Sequence, residues 1–318
     1  MSYIKERMSY PSADGKNTVA AYLFTPSEGE VRAVFQLCHG MCEYILRYED
    51  FAAYLCAHGI AFAGNDHLGH GETAACADDL GYTVGAQYLI EDARRLTEVL
   101  KERFGTEIPF FFAGHSMGSF IARAYLSQYG KDGIDAAVII GTAGPGAPTG
   151  AGKAVARLIG AVRGDRYRSK LLKAMAFGSY TKRCPKGCSP SAWISRDEVL
   201  VARYDADPFC SYLFTVRGYV DLFTLLGGVS AKSWAGTVPK DLPILLTAGE
   251  EDPVGAYGKG VREVYRRLQA CGVRDVTLRL YPEDRHEILN ELDREAVYAD
   301  MLAYIERQIE QKRKIDHE

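Results

Sequence analysis

No stretch of this sequence comes near the roughly 20 consecutive apolar residues that a membrane-spanning helix requires; its longest apolar runs have strand length. The first fifteen residues, MSYIKERMSYPSADG, have no apolar centre, so they do not read as a secretory signal. A basic tail is also missing. The formal net charge is -3, which leaves nothing for a nucleic-acid partner to recognise. Internal repeats and low-complexity tracts are absent. The eight cysteines are scattered, mostly within apolar runs, and in a chain of 318 residues they read as reduced packing residues. A soluble cytoplasmic protein is the expectation.

Hydrophobic residues make up 47% and charged residues 25%, ordinary values for a sizeable globular core. Strand-length apolar runs alternate with helical patterns. Residues 17–25, 31–38, 60–64, 108–113, 135–141, 242–247 and 275–281 read as strands. Residues 48–58, 86–104, 117–129, 257–270 and about 292 to 312 read as helices, with Leu89, Ala93, Leu96 and Leu100 on one face of the second. Short, fully apolar strands separated by helices predict an α/β fold whose mostly parallel sheet is covered on both faces. The pattern breaks between Gly141 and Leu242, a span too long for a loop in a compact domain. It opens with the linker GTAGPGAPTGAG, continues with Val155, Leu158, Ile159 and Val162 at helical spacing, and ends near a Gly227–Gly228 pair. The division expected is a core of residues 1–143 and 240–318 with a helical cap inserted over 144–239.

The chemistry centres on Gly114-His115-Ser116-Met117-Gly118, a G-x-S-x-G placed after a predicted strand and before a predicted helix. A turn this tight strains the serine backbone and leaves no room for side chains at Gly114 and Gly118. The following helix points its N-terminus at the site and favours negative charge there. A serine hydroxyl needs a base, and the base needs an orienting carboxylate. Only His286 and His317 lie beyond Ser116. His317 sits in a charged tail, whereas His286 follows a predicted strand and is the candidate base. Asp252, in GEEDPV, is the candidate acid, with Glu250 and Glu251 as competitors; Pro253 makes Asp252 a turn residue. The loop Cys38-His39-Gly40-Met41-Cys42-Glu43 follows another strand. The backbone N–H groups of Met41 and Met117 are the candidate oxyanion donors, and His39 is read as a brace for the loop. His67 and His70 have H-x-x-H spacing next to Asp66, and Cys184 and Cys188 form a C-x-x-x-C. Neither pair has a convincing further ligand nearby, so neither a metal nor a cofactor is expected.

Taken together, HGMCEYILRYEDFA, DHLGHGET, GHSMGS, GEEDPVG and RHEILNE resemble, in order, the motifs of the monoacylglycerol lipase and lysophospholipase group of α/β-hydrolases, over residues 39 to about 292. The resemblance implies the α/β-hydrolase fold, a helical lid between the elbow half and the acid half, and the triad Ser116, Asp252 and His286. Departures from the pattern are Tyr44 in place of histidine, Cys42 in place of a small residue, and Thr73 in place of serine. Cys42, beside the oxyanion loop, is a candidate thiol-sensitive position.

The function expected is carboxylic ester hydrolysis through an acyl-enzyme, with a small-molecule or lipid ester as partner. Monoacylglycerols, lysophospholipids and related monoacyl esters are the substrate class. An aminopeptidase-type or thioesterase activity is the alternative, because the same triad serves every acyl transfer. The former would use cap acids such as Asp197, Glu198, Asp205, Asp207 and Asp221 to hold a free amine. A non-catalytic receptor would have no need of acid and base. Arg163, Arg166, Arg168, Lys170 and Lys173 lie beside apolar helix faces, which suggests transient contact of the cap with a membrane surface.

Overall fold

The computed structural model describes residues 3–146 and 148–315, so His317 lies outside the described residues. The chain runs β1 (Tyr3–Pro11), β2 (Thr18–Pro26), β3 (Ala33–Cys38), α1 (Glu49–Cys56), β4 (Ile60–Asn65), α2 (Ala86–Phe104), β5 (Phe110–His115), α3 (Met117–Tyr129) and β6 (Ala136–Ile140). An insertion follows with α4 (Thr149–Arg163), α5 (Lys170–Phe177), α6 (Glu198–Ala206), α7 (Val216–Ser230) and α8 (Trp234–Thr237). The chain then returns through β7 (Ile244–Gly249), α9 (Lys259–Ala270), β8 (Val276–Tyr281) and α10 (Arg294–Ile315).

The strands form one eight-stranded sheet in the order β1-β2-β4-β3-β5-β6-β7-β8. The β1–β2 and β2–β4 pairs are antiparallel, and β4 through β8 pair in parallel. Side chains alternate across it, as the period of two demands. Phe110 and Phe112 of β5 join Leu89, Leu96, Ile121 and Val264 on one face. Phe111 and Ala113 join Phe51, Leu55, Met301 and Ile305 of α1 and α10 on the other. The second face is thus roofed by two helices, and the first by α2, α3 and α9, with α7 of the insertion extending the same core.

Four differences from the sequence reading have physical causes. First, β1 has no apolar run because it is an edge strand with most positions wholly or partly exposed. Second, Gly227 and Gly228 lie inside α7, which runs on to Ser230. Third, the apolar stripe of α4 is only half used: Val155 and Ile159 pack inward, but Leu158 is 69% and Val162 76% exposed. Fourth, all eight cysteines are free, yet only Cys38, Cys42, Cys56 and Cys210 are buried.

Arg123 of α3 holds the insertion at both ends. Its guanidinium, fully buried, donates to the Ala143 carbonyl (2.9 Å), the Val229 carbonyl (2.6 Å) and Thr142 Oγ1 (3.2 Å). It lies 4.2 Å from the centre of the Trp234 ring. Burial, helped by the charge of Arg267, brings Arg123 down to about 9.

Candidate active site

Ser116 stands alone between the last residue of β5 and the first of α3, with φ 53° and ψ -120°. A non-glycine residue reaches that conformation only where its surroundings impose it. They do so by close approach. A side chain at Gly114 would collide with the Gly118 carbonyl, and one at Gly118 with the Cys38 and His39 carbonyls. The first turn of α3 is therefore drawn against the end of β3, and Met117 enters the site as the first helical residue. Its N–H is one of the four at a helix start that have no partner within the helix. Gly40 reaches the same point from the other side: a Cβ there would lie 3.0 Å from Ser116 Cβ.

The loop after β7 brings Asp252, and the loop after β8 brings His286. Asp252 Oδ2 lies 3.0 Å from His286 Nδ1, with both residues buried. The carboxylate accepts, so Nδ1 carries the proton. Asp252 Oδ1 accepts the Val254 N–H at 2.8 Å, which fixes the carboxylate in its turn. His286 Nε2 is buried with no hydrogen-bond partner. The competing acids are elsewhere: Glu250 pairs with Arg262 and Glu251 with Arg183, both on the exposed surface. A cavity of about 1040 Å³ opens beside the site. Ser116, Met41, Met117 and His286 line it together with insertion residues including Phe177, Trp193, Tyr219, Leu222, Phe223 and Leu226.

The serine aminopeptidase family, S33, matches residues 29–293. The chain belongs to this family. As an S33 member with this fold it is a serine hydrolase. Its relatives include a monoacylglycerol lipase from Mycolicibacterium smegmatis, 28% identical over 89% of this chain and 91% of the relative. Human monoglyceride lipase is 25% identical over 88% of this chain and 83% of its own. The crystal structure of a carboxyl esterase from Bacillus coagulans in complex with glycerol superimposes with a TM-score of 0.89 at 30% identity, covering 97% of this chain and all (100%) of that one. A soluble variant of monoglyceride lipase from Saccharomyces cerevisiae, with TM-score 0.79 at 22% identity, covers 97% of both chains and shares the α/β-hydrolase fold.

Around the S33 site runs a buried charge network that the sequence did not disclose. Glu43 accepts from the Gly40 N–H, from Tyr48 Oη (2.9 Å) and from Arg47 (2.9 Å), and lies 3.0 Å from His115 Nδ1. Arg47 also grips Glu287 with two bonds of 2.8 and 2.7 Å. His115 Nε2 donates to the His286 carbonyl at 3.2 Å, with the two rings 4.6 Å apart. Burial alone would lower His115, but the bond to Glu43 and its charge outweigh it and leave the imidazole raised. Burial likewise opposes the Glu43 charge, yet His115 and Arg47 hold its carboxyl well below the usual range. The loop after β3, the turn at Ser116 and the loop after β8 are thereby fastened by one ionic knot. The available signal was the i, i+4 spacing of Glu43 and Arg47, which in sequence looks like a surface pair.

His39 Nε2 accepts the His67 N–H at 3.0 Å, and its Nδ1 donates to the Gly40 carbonyl at 2.7 Å. Burial takes His39 down to about 4 and His70 to about 3. Both are neutral struts of the loops flanking the site, and His39 braces its loop as the sequence suggested. Among the described residues no group of three or more His, Cys, Asp or Glu side chains is arranged to hold a metal ion. Cys42 is buried, and burial pushes its thiol up to about 12. That keeps the thiol protonated at neutral pH and removes the basis for a reactive thiolate there.

Proposed function

We propose that this protein hydrolyses monoacyl esters, such as monoacylglycerols or lysophospholipids, through an acyl-enzyme on Ser116. The observation that carries the reading is the state of His286. Asp252 occupies Nδ1 and fixes the tautomer, while Nε2 is buried, unpaired and lines the same cavity as Ser116. Ser116 Oγ attacks the acyl carbon as its proton passes to Nε2. The oxyanion forms against the Met41 and Met117 N–H groups at the positive end of α3. His286 returns the proton to the leaving alcohol. Water, deprotonated by the same Nε2, then releases the fatty acid, and no cofactor takes part.

The insertion acts as the cap of this site. The cavity is large and mostly apolar in lining, the character of a site for an acyl chain. Four of the five candidate amine-holding acids have other partners, Asp207 among them through Tyr44. Asp197 caps α6, Asp205 holds Ser189 and Ser191, and Asp221 holds Thr83 and Arg217, which weighs against the aminopeptidase reading. Residues 149–195 carry ten lysines and arginines against one acid, Asp165. Among the described residues, six of the nine exposed large hydrophobic side chains lie in the insertion: Leu158, Val162, Leu171, Met175, Val199 and Phe209. Together these support transient docking of the cap on an anionic lipid surface. Sedimentation with phosphatidylglycerol vesicles and not with phosphatidylcholine vesicles is the expected behaviour; binding to neither, or equal binding to both, removes this part.

A kcat/KM series on glycerol monoesters from acetate to palmitate tests the main reading. The value rises with chain length until the cavity is full. Strict acetyl preference, or faster cleavage of an aminoacyl amide or a thioester than of any lipid ester, would replace it with the corresponding alternative.

A further inference from the structure

The loop that presents Met41 does not stand on the sheet alone. It leans on one short segment of the insertion, from Tyr204 to Tyr212, at four points. Cys42 Sγ donates to the Tyr212 carbonyl at 3.5 Å. Tyr44 Oη donates to Asp207 Oδ2 at 2.8 Å, and its ring meets that of Phe209 edge-on at 5.7 Å. The Arg47 guanidinium lies 4.9 Å from the centre of the Tyr204 ring. The loop needs such support, because Cys42 adopts φ 56°, a left-handed conformation that a non-glycine residue does not hold unaided. Asp207 is set up to receive Tyr44. Its other oxygen, Oδ1, accepts the Phe209 N–H at 2.8 Å, which aims Oδ2 at the tyrosine.

We propose that Tyr44 is a positioning residue: through Asp207 it ties the insertion to the oxyanion loop, so that the Met41 N–H is in place only when the segment 204–212 is docked. Tyr44 is one of the positions where this sequence departs from the related motif, so the tie belongs to this chain's own residues. Burial, and then the bond to Asp207, raise the Tyr44 hydroxyl well above its ordinary value, which keeps it a donor across the neutral range. The inference rests on the reading of Met41 as an oxyanion donor. A displaced donor weakens transition-state binding without touching the acyl pocket, so the cost falls on kcat and not on KM.

The test compares wild type with Tyr44→Phe, Asp207→Ala, Asp207→Asn and the Tyr44→Phe/Asp207→Ala double variant. The readouts are kcat and KM on a nitrophenyl ester and the inhibition constant of a trifluoromethyl ketone, whose adduct places an oxyanion in the hole. Tyr44→Phe and Asp207→Ala each lower kcat by about tenfold, short of the loss that removing a whole donor causes. KM stays within about twofold, and ketone affinity falls in step with kcat. The double variant is no worse than either single one, as expected for partners in one bond. Asp207→Asn, which still pairs with both the tyrosine and the Phe209 N–H, stays near wild type. Wild-type kcat and ketone affinity in Tyr44→Phe, a change confined to KM, or additive losses in the double variant would each overturn the tie. If the ketone binds wild type no better than the product acid, the oxyanion reading itself fails, and the tie with it.

Discussion

Strands β3 to β7 are buried at every position, whereas α4 and α5 of the insertion turn Leu158, Val162, Leu171 and Met175 to solvent. The two regions use similar apolar residues in opposite ways. In the sheet each side chain has a fixed partner, so the turns at the strand ends have fixed geometry. Ser116, Asp252 and His286 all sit on such turns, and the proposed chemistry needs atoms held to a fraction of an ångström. The insertion instead holds a cavity wall and an unpartnered outer face. In the proposed function the cavity wall chooses the acyl chain, while the segment 204–212 steadies the loop that carries Met41.

That division can be broken most severely at the elbow. Ser116→Ala lowers ester turnover by at least about 10⁴-fold, abolishes labelling by a fluorophosphonate and leaves the melting temperature near wild type. Residual turnover above a few per cent would remove Ser116 from the chemistry. Nearly as large is the effect of Asp252→Asn, about 10⁴-fold in kcat, because His286 would lose both its fixed tautomer and its charge partner. Glu250→Gln and Glu251→Gln, both on the surface, stay within about threefold. A reversed ranking would move the acid to a glutamate.

The insertion half is probed by changing a wall. Leu226 lines the cavity. In Leu226→Trp the chain-length optimum shortens by several methylenes, each worth about 0.8 kcal/mol while it still fits, and the acetyl ester is cleaved at the wild-type rate. An equal loss on acetyl and long-chain esters would mean that Leu226 shapes the chemistry and not the choice of chain.

The smallest effect concerns the neutral histidine struts. His39 and His70 have folded values of about 4 and about 3, below the ordinary 6.5, because of burial. A lowered value means that the unfolded chain takes up the proton first. Their contribution to stability is therefore complete above about pH 6.5 and is lost as the pH falls towards 4 and then 3. The melting temperature falls over that window in wild type and falls less steeply in His70→Phe. Identical slopes would show that His70 protonates as freely folded as unfolded.

The same contrast governs what the sequence could disclose. The strands were legible because β3 to β7 are mostly apolar runs with few polar positions, and Ser116 because an elbow needs glycines on both sides. Elimination pointed to His286, and the turn at Pro253 pointed to Asp252. β1 left no trace because an edge strand need not be apolar. Glu43, Arg47 and Glu287 were equally silent: a buried ionic knot is assembled from residues 244 positions apart, and nothing periodic marks it. In α4 the helix was legible but not its orientation. The stripe Val155, Leu158, Ile159 and Val162 specifies a face, and only the packed structure shows that half of it has nothing to pack against.

The central claim, an acyl-enzyme on Ser116 formed in the sheet half and filled from the insertion, is tested most directly by trapping it. Wild-type protein is mixed with a nitrophenyl decanoate, quenched in acid within the burst, and examined by intact mass and peptide mapping. One decanoyl group per chain is expected, carried by the peptide containing Ser116 and absent in Ser116→Ala. Rapid turnover with no adduct, or a decanoyl group on any other residue, would contradict it.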